Sequence, residues 1–180
     1  EIASDCGAAV IRSAPGRGRQ QNLGADAATG DILLFLHADT VLPPGFHRHV
    51  REVLARDGVS AGAFLLRIGA PRRALRLVER MANWRSNILQ LPYGDQALLL
   101  PRALYDAAGG YPDQPLMEDV ALARALKGKI TLLPAKALTS ADRYRRDGWL
   151  RRGARNLVTL VRYATGTPPE TLAKGYHRRS

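Results

Sequence analysis

An α/β fold, with a mainly parallel central sheet, helices on both faces and a helical C-terminal extension, is what this sequence predicts. Three observations carry the prediction. Short apolar runs alternate with segments of helical period along the chain. One run, Ile32-Leu33-Leu34-Phe35-Leu36, is apolar without interruption and bounded by polar residues, the pattern of a strand buried on both faces in a parallel sheet. The 180 residues are 46% apolar and 24% charged, which suits one folded core and excludes a disordered tail. No repeat, low-complexity tract or Ser/Gly-rich linker divides them.

Taken from the N-terminus, residues 8–12 are a short apolar run suited to a strand. Gly16 and Gly18 interrupt the chain before 19–28, which is rich in helix formers and is closed by Gly30. Residues 31–37 form the buried strand, and His37-Ala38-Asp39-Thr40 is its carboxyl end. Pro43-Pro44 opens a helix in which Phe46, Val50, Val53 and Leu54 share a face. Residues 62–68 read as a strand, and 71–91 as a long helix with Leu75, Val78 and Ala82 inward and its arginines outward. Tyr93-Gly94-Asp95-Gln96 is a loop leading into the apolar run 97–100. Residues 102–108 are helical and stop at Gly109-Gly110. Residues 116–126 form a helix with Glu118 and Asp119 in its first turn, and 130–133 a short strand before Pro134. Between 144 and 162, six arginines accompany Trp149, Leu150, Leu157, Leu160 and Val161 in a basic amphipathic helix. The expected division is an α/β domain over 1–143 and a helical extension over 144–180.

The 27 Lys and Arg against 16 Asp and Glu leave a net charge of +11, which attracts phosphate-bearing partners: nucleotides, nucleic acid or anionic lipid. Aromatic residues make up only 6% and no nucleic-acid motif is present, so stacking platforms are scarce and nucleic acid is not the expected partner. A basic nucleic-acid-binding module remains the rival class, with steep salt dependence as its mark. Cys6 is the one cysteine, which rules out an intrachain disulfide framework and fits a reducing compartment such as the cytoplasm. The longest apolar candidates, 32–36 and 157–161, are five residues each, far below the ~18 to 20 that a spanning helix needs. The basic C-terminal helix leaves peripheral contact with the inner face of a membrane open, and homodimerisation is open too. The first residue is Glu1 rather than Met, so a missing or processed N-terminal stretch is expected.

In α/β sheets ligands bind outside the carboxyl ends of strands, which directs attention to residues 37–40. Asp39 there either holds a divalent cation against a diphosphate or caps the following turn. Glu118 and Asp119 either supply a base for an acceptor hydroxyl or complement the helix dipole, and neighbours on a helix cannot both face one site. Gly16-Arg17-Gly18-Arg19-Gln20-Gln21-Asn22 could clamp a diphosphate, but lacks the Lys-Ser/Thr end of a Walker loop and the three-glycine dinucleotide spacing. Gly94, Asp95 and Gln96 either recognise sugar hydroxyls or form a simple turn. Arg145 and Arg146 could reach a diphosphate from the far side of the cleft.

In this order the segments GRGRQQNLGADAATGDILLFLHADTVLPPG, YGDQALLLPR and GGYPDQPLMEDVALARAL resemble glycosyltransferase family 2 over nearly the whole chain, most of all the branch assigned to arsenosugar biosynthesis. The resemblance implies a GT-A-type nucleotide-diphospho-sugar transferase fold and an inverting, metal-assisted transfer from a nucleoside-diphosphate sugar to an unidentified acceptor hydroxyl. It places Asp39 at the metal-binding acid of the family's Asp-x-Asp motif, with Mg²⁺ or Mn²⁺ as the cofactor. His37 replaces the first acid and either ligates the metal or lines the nucleotide pocket. It matches Asp119 to the general base beside Glu118, the residues Gly94, Asp95 and Gln96 to the sugar and acceptor loop, and Arg17, Arg19 and Asn22 to the nucleotide-holding segment. Family members normally begin with two further strands that grip the base and ribose, and this sequence starts after both. An N-terminally incomplete fold is therefore expected: an inactive fragment, a non-catalytic sugar-nucleotide binder, or a chain completed by a partner. The Gln-x-x-Arg-Trp signature of processive synthases is absent, which favours a single transfer.

Overall fold

A computed structural model describes residues 2–71 and 73–177. Helix α1 (Ile2–Asp5) precedes α2 (Arg17–Ala27), β1 (Ile32–Phe35), β2 (Thr40–Val41), α3 (Phe46–Leu54), β3 (Val59–Ile68) and α4 (Arg73–Leu89). A 3₁₀ turn (Gly94–Gln96), β4 (Leu98–Pro101), α5 (Arg102–Ala107), α6 (Glu118–Ala125), β5 (Lys129–Thr139), α7 (Asp142–Asp147), α8 (Trp149–Ala164) and α9 (Pro169–His177) complete the chain.

The strands lie in the order β1-β4-β3-β5-β2. Only β3 and β5 pair in parallel; β1–β4, β3–β4 and β2–β5 are antiparallel. The sheet is thus mixed, which corrects the expected mainly parallel arrangement. Layers on both faces make a strand read as continuously apolar whatever its direction, so the run at 32–36 carried no information on polarity. That run is also less buried than expected. β1 pairs with β4 alone, and Ile32 and Leu36 are exposed.

Two other strands differ from expectation. Residues 8–12 form no strand, and their side chains are exposed. β5 does not end at Pro134 but continues to Thr139. Register along β3 jumps there, from Phe64 opposite Leu133 to Leu65 opposite Lys136. Pro134 therefore sits in a bulge, where its missing N–H breaks no ladder bond.

The helical periods hold. Val50 and Val53 of α3 pack with Phe64, Leu99 and Leu133 on one face of the sheet. Leu33, Leu98 and Leu100 point to the other face, where Ala25, Val120, Leu122 and Leu160 meet them. Alternation along β4 thus feeds Leu99 to one core and its two neighbours to the other. α4 packs Leu75 and Ala82 on Leu66 and Ile68 of β3. Not all its arginines face outward: Arg85 is buried, and Arg76 reaches inward to Glu79 and the Ile68 carbonyl. The basic segment after 144 is broken at Gly148, whose φ of 77° separates α7 from α8. Among the described residues no helix is long and apolar enough to cross a membrane.

Candidate active site

The carboxyl end of β1, the 3₁₀ turn and the start of α6 converge on one cleft. Two adjoining lobes share Arg17, His37, Tyr93, Gly94 and Asp119 as walls. Behind the 3₁₀ turn, the fully buried Gln96 anchors the loop. Its Oε1 accepts from the Ser86 hydroxyl at 2.6 Å and from the Tyr93 amide at 3.0 Å, and its Nε2 donates to the Phe64 carbonyl at 3.0 Å. Gln96 therefore positions the loop from the core and does not face a ligand, because its amide is committed internally.

The anchored turn sets Gly94 and Asp95 against His37. The Nδ1 atom of His37 and Oδ1 of Asp95 are 2.8 Å apart. A Cβ on Gly94 would clash with His37 Nε2, so only glycine lets the ring rest there. Hydrogen bonding to Asp95 raises the His37 pKa above its ordinary value, against the opposing effect of burial; the charge of Asp39 adds to the rise. His37, Asp39 and Asp95 form the one group among the described residues with metal-ligating atoms suitably close, all within 4.8 Å of one another. Asp39 joins through this cluster; it does not wall either lobe.

On the opposite wall α6 begins with Met117 in the left-handed region, φ 66°. A non-glycine residue held there marks a locally over-determined backbone. The turn separates the fates of the two acids after it. Glu118 is only 3% exposed and is gripped by Arg17, Nε to Oε1 at 2.8 Å and a second guanidinium nitrogen to Oε2 at 3.0 Å. Burial pushes the Glu118 carboxyl above its ordinary pKa, and Arg17 pulls in the other direction. Asp119 is half-buried and lines both lobes, with its Oδ1 accepting from the Val120 amide at 2.8 Å.

Other sequence-predicted residues stand elsewhere. Arg19 pairs with Asp113 at 2.6 Å on the surface. Asn22 holds the loop ahead of α6, donating to the Tyr111 carbonyl at 2.8 Å and accepting from the Tyr111 amide at 2.9 Å. Arg145 lies 3.6 Å from Asp142, and neither it nor Arg146 lines the cleft. Asn22 thus ties α2 to the loop ahead of α6, and these two arginines of α7 lie outside both lobes.

Instead Arg85, Arg152 and Asn156 line the second lobe. Arg85 stacks 3.5 Å over the centroid of the Tyr93 ring and donates from Nε to the Leu91 carbonyl at 3.0 Å. Burial lowers its pKa, and the charges of Tyr93 and Asp119 counter this. Tyr144, whose ring lies under Arg152, is pushed up to about 12, first by burial and next by Asp95. Arginines on helices read as solvated faces in the sequence, so only the four-residue spacing of Arg152 and Asn156 hinted at a shared wall.

The sequence model of glycosyl transferase family 2 matches residues 1–109. No curated protein matches the chain. Among solved structures it is similar to one titled "Crystal Structure of a Mycobacterial Protein", with a TM-score of 0.49 and 20% identity. That similarity covers 92% of this chain and 60% of the mycobacterial one, so the chain spans about 60% of the length of that relative.

Proposed function

The chain belongs to glycosyl transferase family 2, and from that membership we propose that its cleft moves a sugar from a nucleoside-diphosphate donor to an acceptor hydroxyl, with inversion, on a GT-A-type fold. One observation carries the proposal: the His37, Asp39 and Asp95 cluster and the carboxylate of Asp119 border the same cleft, which shares His37 and Asp119 as walls.

An imidazole and two carboxylates suit a hard or borderline divalent ion, so the cluster fits Mg²⁺ or Mn²⁺. Such an ion, when bound, supplies positive charge to the departing diphosphate. Asp39 and Asp95 would be its oxygen donors, with His37 as the third member. Arg17 at the rim and Arg152 on α8 add phosphate-binding donors, the role that the sequence assigned to Arg145 and Arg146.

Asp119 takes the acceptor proton. The hydroxyl oxygen attacks the anomeric carbon, the bond to the donor phosphate oxygen breaks, and its electron pair leaves with the nucleoside diphosphate on the opposite face. Glu118, clamped by Arg17, is the positioning partner that keeps this guanidinium at the mouth of the cleft. Asp119→Asn is expected to preserve donor binding and to slow release of UDP or GDP from nucleotide sugars by about 10²–10⁴-fold. Full activity in that variant removes Asp119 from the role of base; retained nucleotide binding with no turnover in the unaltered chain supports the non-catalytic sugar-nucleotide binder instead.

A further inference from the structure

α4 is apolar on two sides. Its inner side is explained by β3. On its outer side Leu77, Met81, Trp84 and Ile88 are 53, 58, 63 and 57% exposed. Spacings of four, three and four residues stack these side chains in one row along the helix. Single exposed apolar residues are ordinary on protein surfaces, but a row of four large ones, tryptophan included, marks a contact surface.

The charges around the row identify what covers it. Arg73 and Arg80 are exposed and each precedes a row member, Leu77 or Trp84, by four residues, which makes them neighbours on the helix surface. The helix has one acid, Glu79, and it is turned inward, accepting from the Ile68 amide at 2.6 Å and paired with Arg67 and Arg76. The outer face is therefore apolar and cationic with no acidic side chain. A second copy docked on it would set arginine against arginine. α8, which touches α4, repeats the pattern: Leu157, Val158 and Val161 are exposed, Arg151 and Arg162 accompany them, and Trp149–Ala164 contains no acid.

We propose that the outer face of α4 docks the protein on an anionic lipid bilayer. Leu77, Met81 and Ile88 enter the boundary between headgroups and acyl chains, and Trp84 sits at headgroup depth, where an amphipathic ring is most favourable. Arg73 and Arg80 reach the lipid phosphates. Docking involves a different face of α4 from Arg85, which the same helix carries into the cleft, and it stands independently of the reaction assigned there.

The test is co-sedimentation of the full chain with vesicles of phosphatidylcholine alone or with roughly a third phosphatidylglycerol. Binding is expected with the anionic vesicles only, and it weakens as ionic strength rises from about 0.1 to about 1 M, where the Debye length falls from ~10 to ~3 Å. The paired variants Leu77→Ser with Trp84→Ser, and Arg73→Glu with Arg80→Glu, should each weaken partitioning about tenfold or more with unchanged circular dichroism, since all four side chains are exposed. Bound protein should show a blue shift in tryptophan emission that Trp149→Phe preserves and Trp84→Phe abolishes. Absence of vesicle binding, binding unaffected by these variants, or a lipid-free dimer dissolved by them would each overturn the proposal, the last by assigning the face to a second copy.

Discussion

His37 and Asp95 lie 58 residues apart in sequence and 2.8 Å apart in space, and both line the second lobe of the cleft. Because the folded His37 pKa is raised, the stability from the pair is full below the ordinary value of about 6.5 and is lost as pH rises through the folded value. NMR titration should find His37 above its ordinary value and lowered by Asp95→Asn. The melting-temperature gap between the two proteins should be wide below the ordinary histidine value and should narrow as pH rises through the folded pKa. Gly94→Ala drives a methyl against the imidazole and is expected to cost about 1–3 kcal/mol in denaturant unfolding. His37→Ala should recover part of that loss, the sign of coupled neighbours. Arg17→Gln leaves Glu118 buried without its clamp. A loss of about 1–3 kcal/mol at neutral pH is expected, reduced by the half-exposure of Arg17. Removing Arg17 lets burial raise the carboxyl further, so the deficit should shrink as acidification neutralises it. A deficit that grew in acid would contradict that pairing.

Elements were legible where one face alone is buried. Val50 and Val53 of α3, and Leu75 and Ala82 of α4, stand where their helical period puts them. Strand polarity was not legible, because Leu98, Leu99 and Leu100 are buried on both faces and read alike in either direction. The site divides in the same way. His37, Asp39, Asp95, Glu118 and Asp119 announce themselves as polar residues at element ends, and the fold gathers them around one cleft. Gln96, buried under the turn, and Asn22, bonded to the Tyr111 backbone, read in sequence like side chains turned to a ligand. Arg85 and Arg152 hide because helical arginines read as solvated. Gln96→Leu tests the anchoring role of the turn. It removes the side-chain partner of the Tyr93 amide and the Phe64 carbonyl, while the Ser86 hydroxyl keeps the Ala82 carbonyl, and should cost about 2–4 kcal/mol. Pro134→Ala, in a bulge of β5, should change stability by less than about 1 kcal/mol in the same assay.

At the scale of the molecule, the charge of +11 is distributed with purpose. Arg17, Arg85 and Arg152 line a cleft that also holds carboxylates, while Arg73 and Arg80 flank an apolar row on its outer surface. A uniformly basic exterior would serve nucleic acid; cations concentrated at a cleft with a His37, Asp39 and Asp95 cluster suit a diphosphate held with a metal ion. The most direct measurement is calorimetric titration of UDP and GDP, each with and without Mn²⁺, into the protein and into Asp39→Ala. Binding of a nucleotide only when Mn²⁺ is present, and its loss in the folded Asp39→Ala protein, is the predicted result. Binding that ignores the metal, binding unchanged by Asp39→Ala, or no binding by the folded chain would contradict the assignment of this cleft to a metal-assisted sugar-nucleotide transferase.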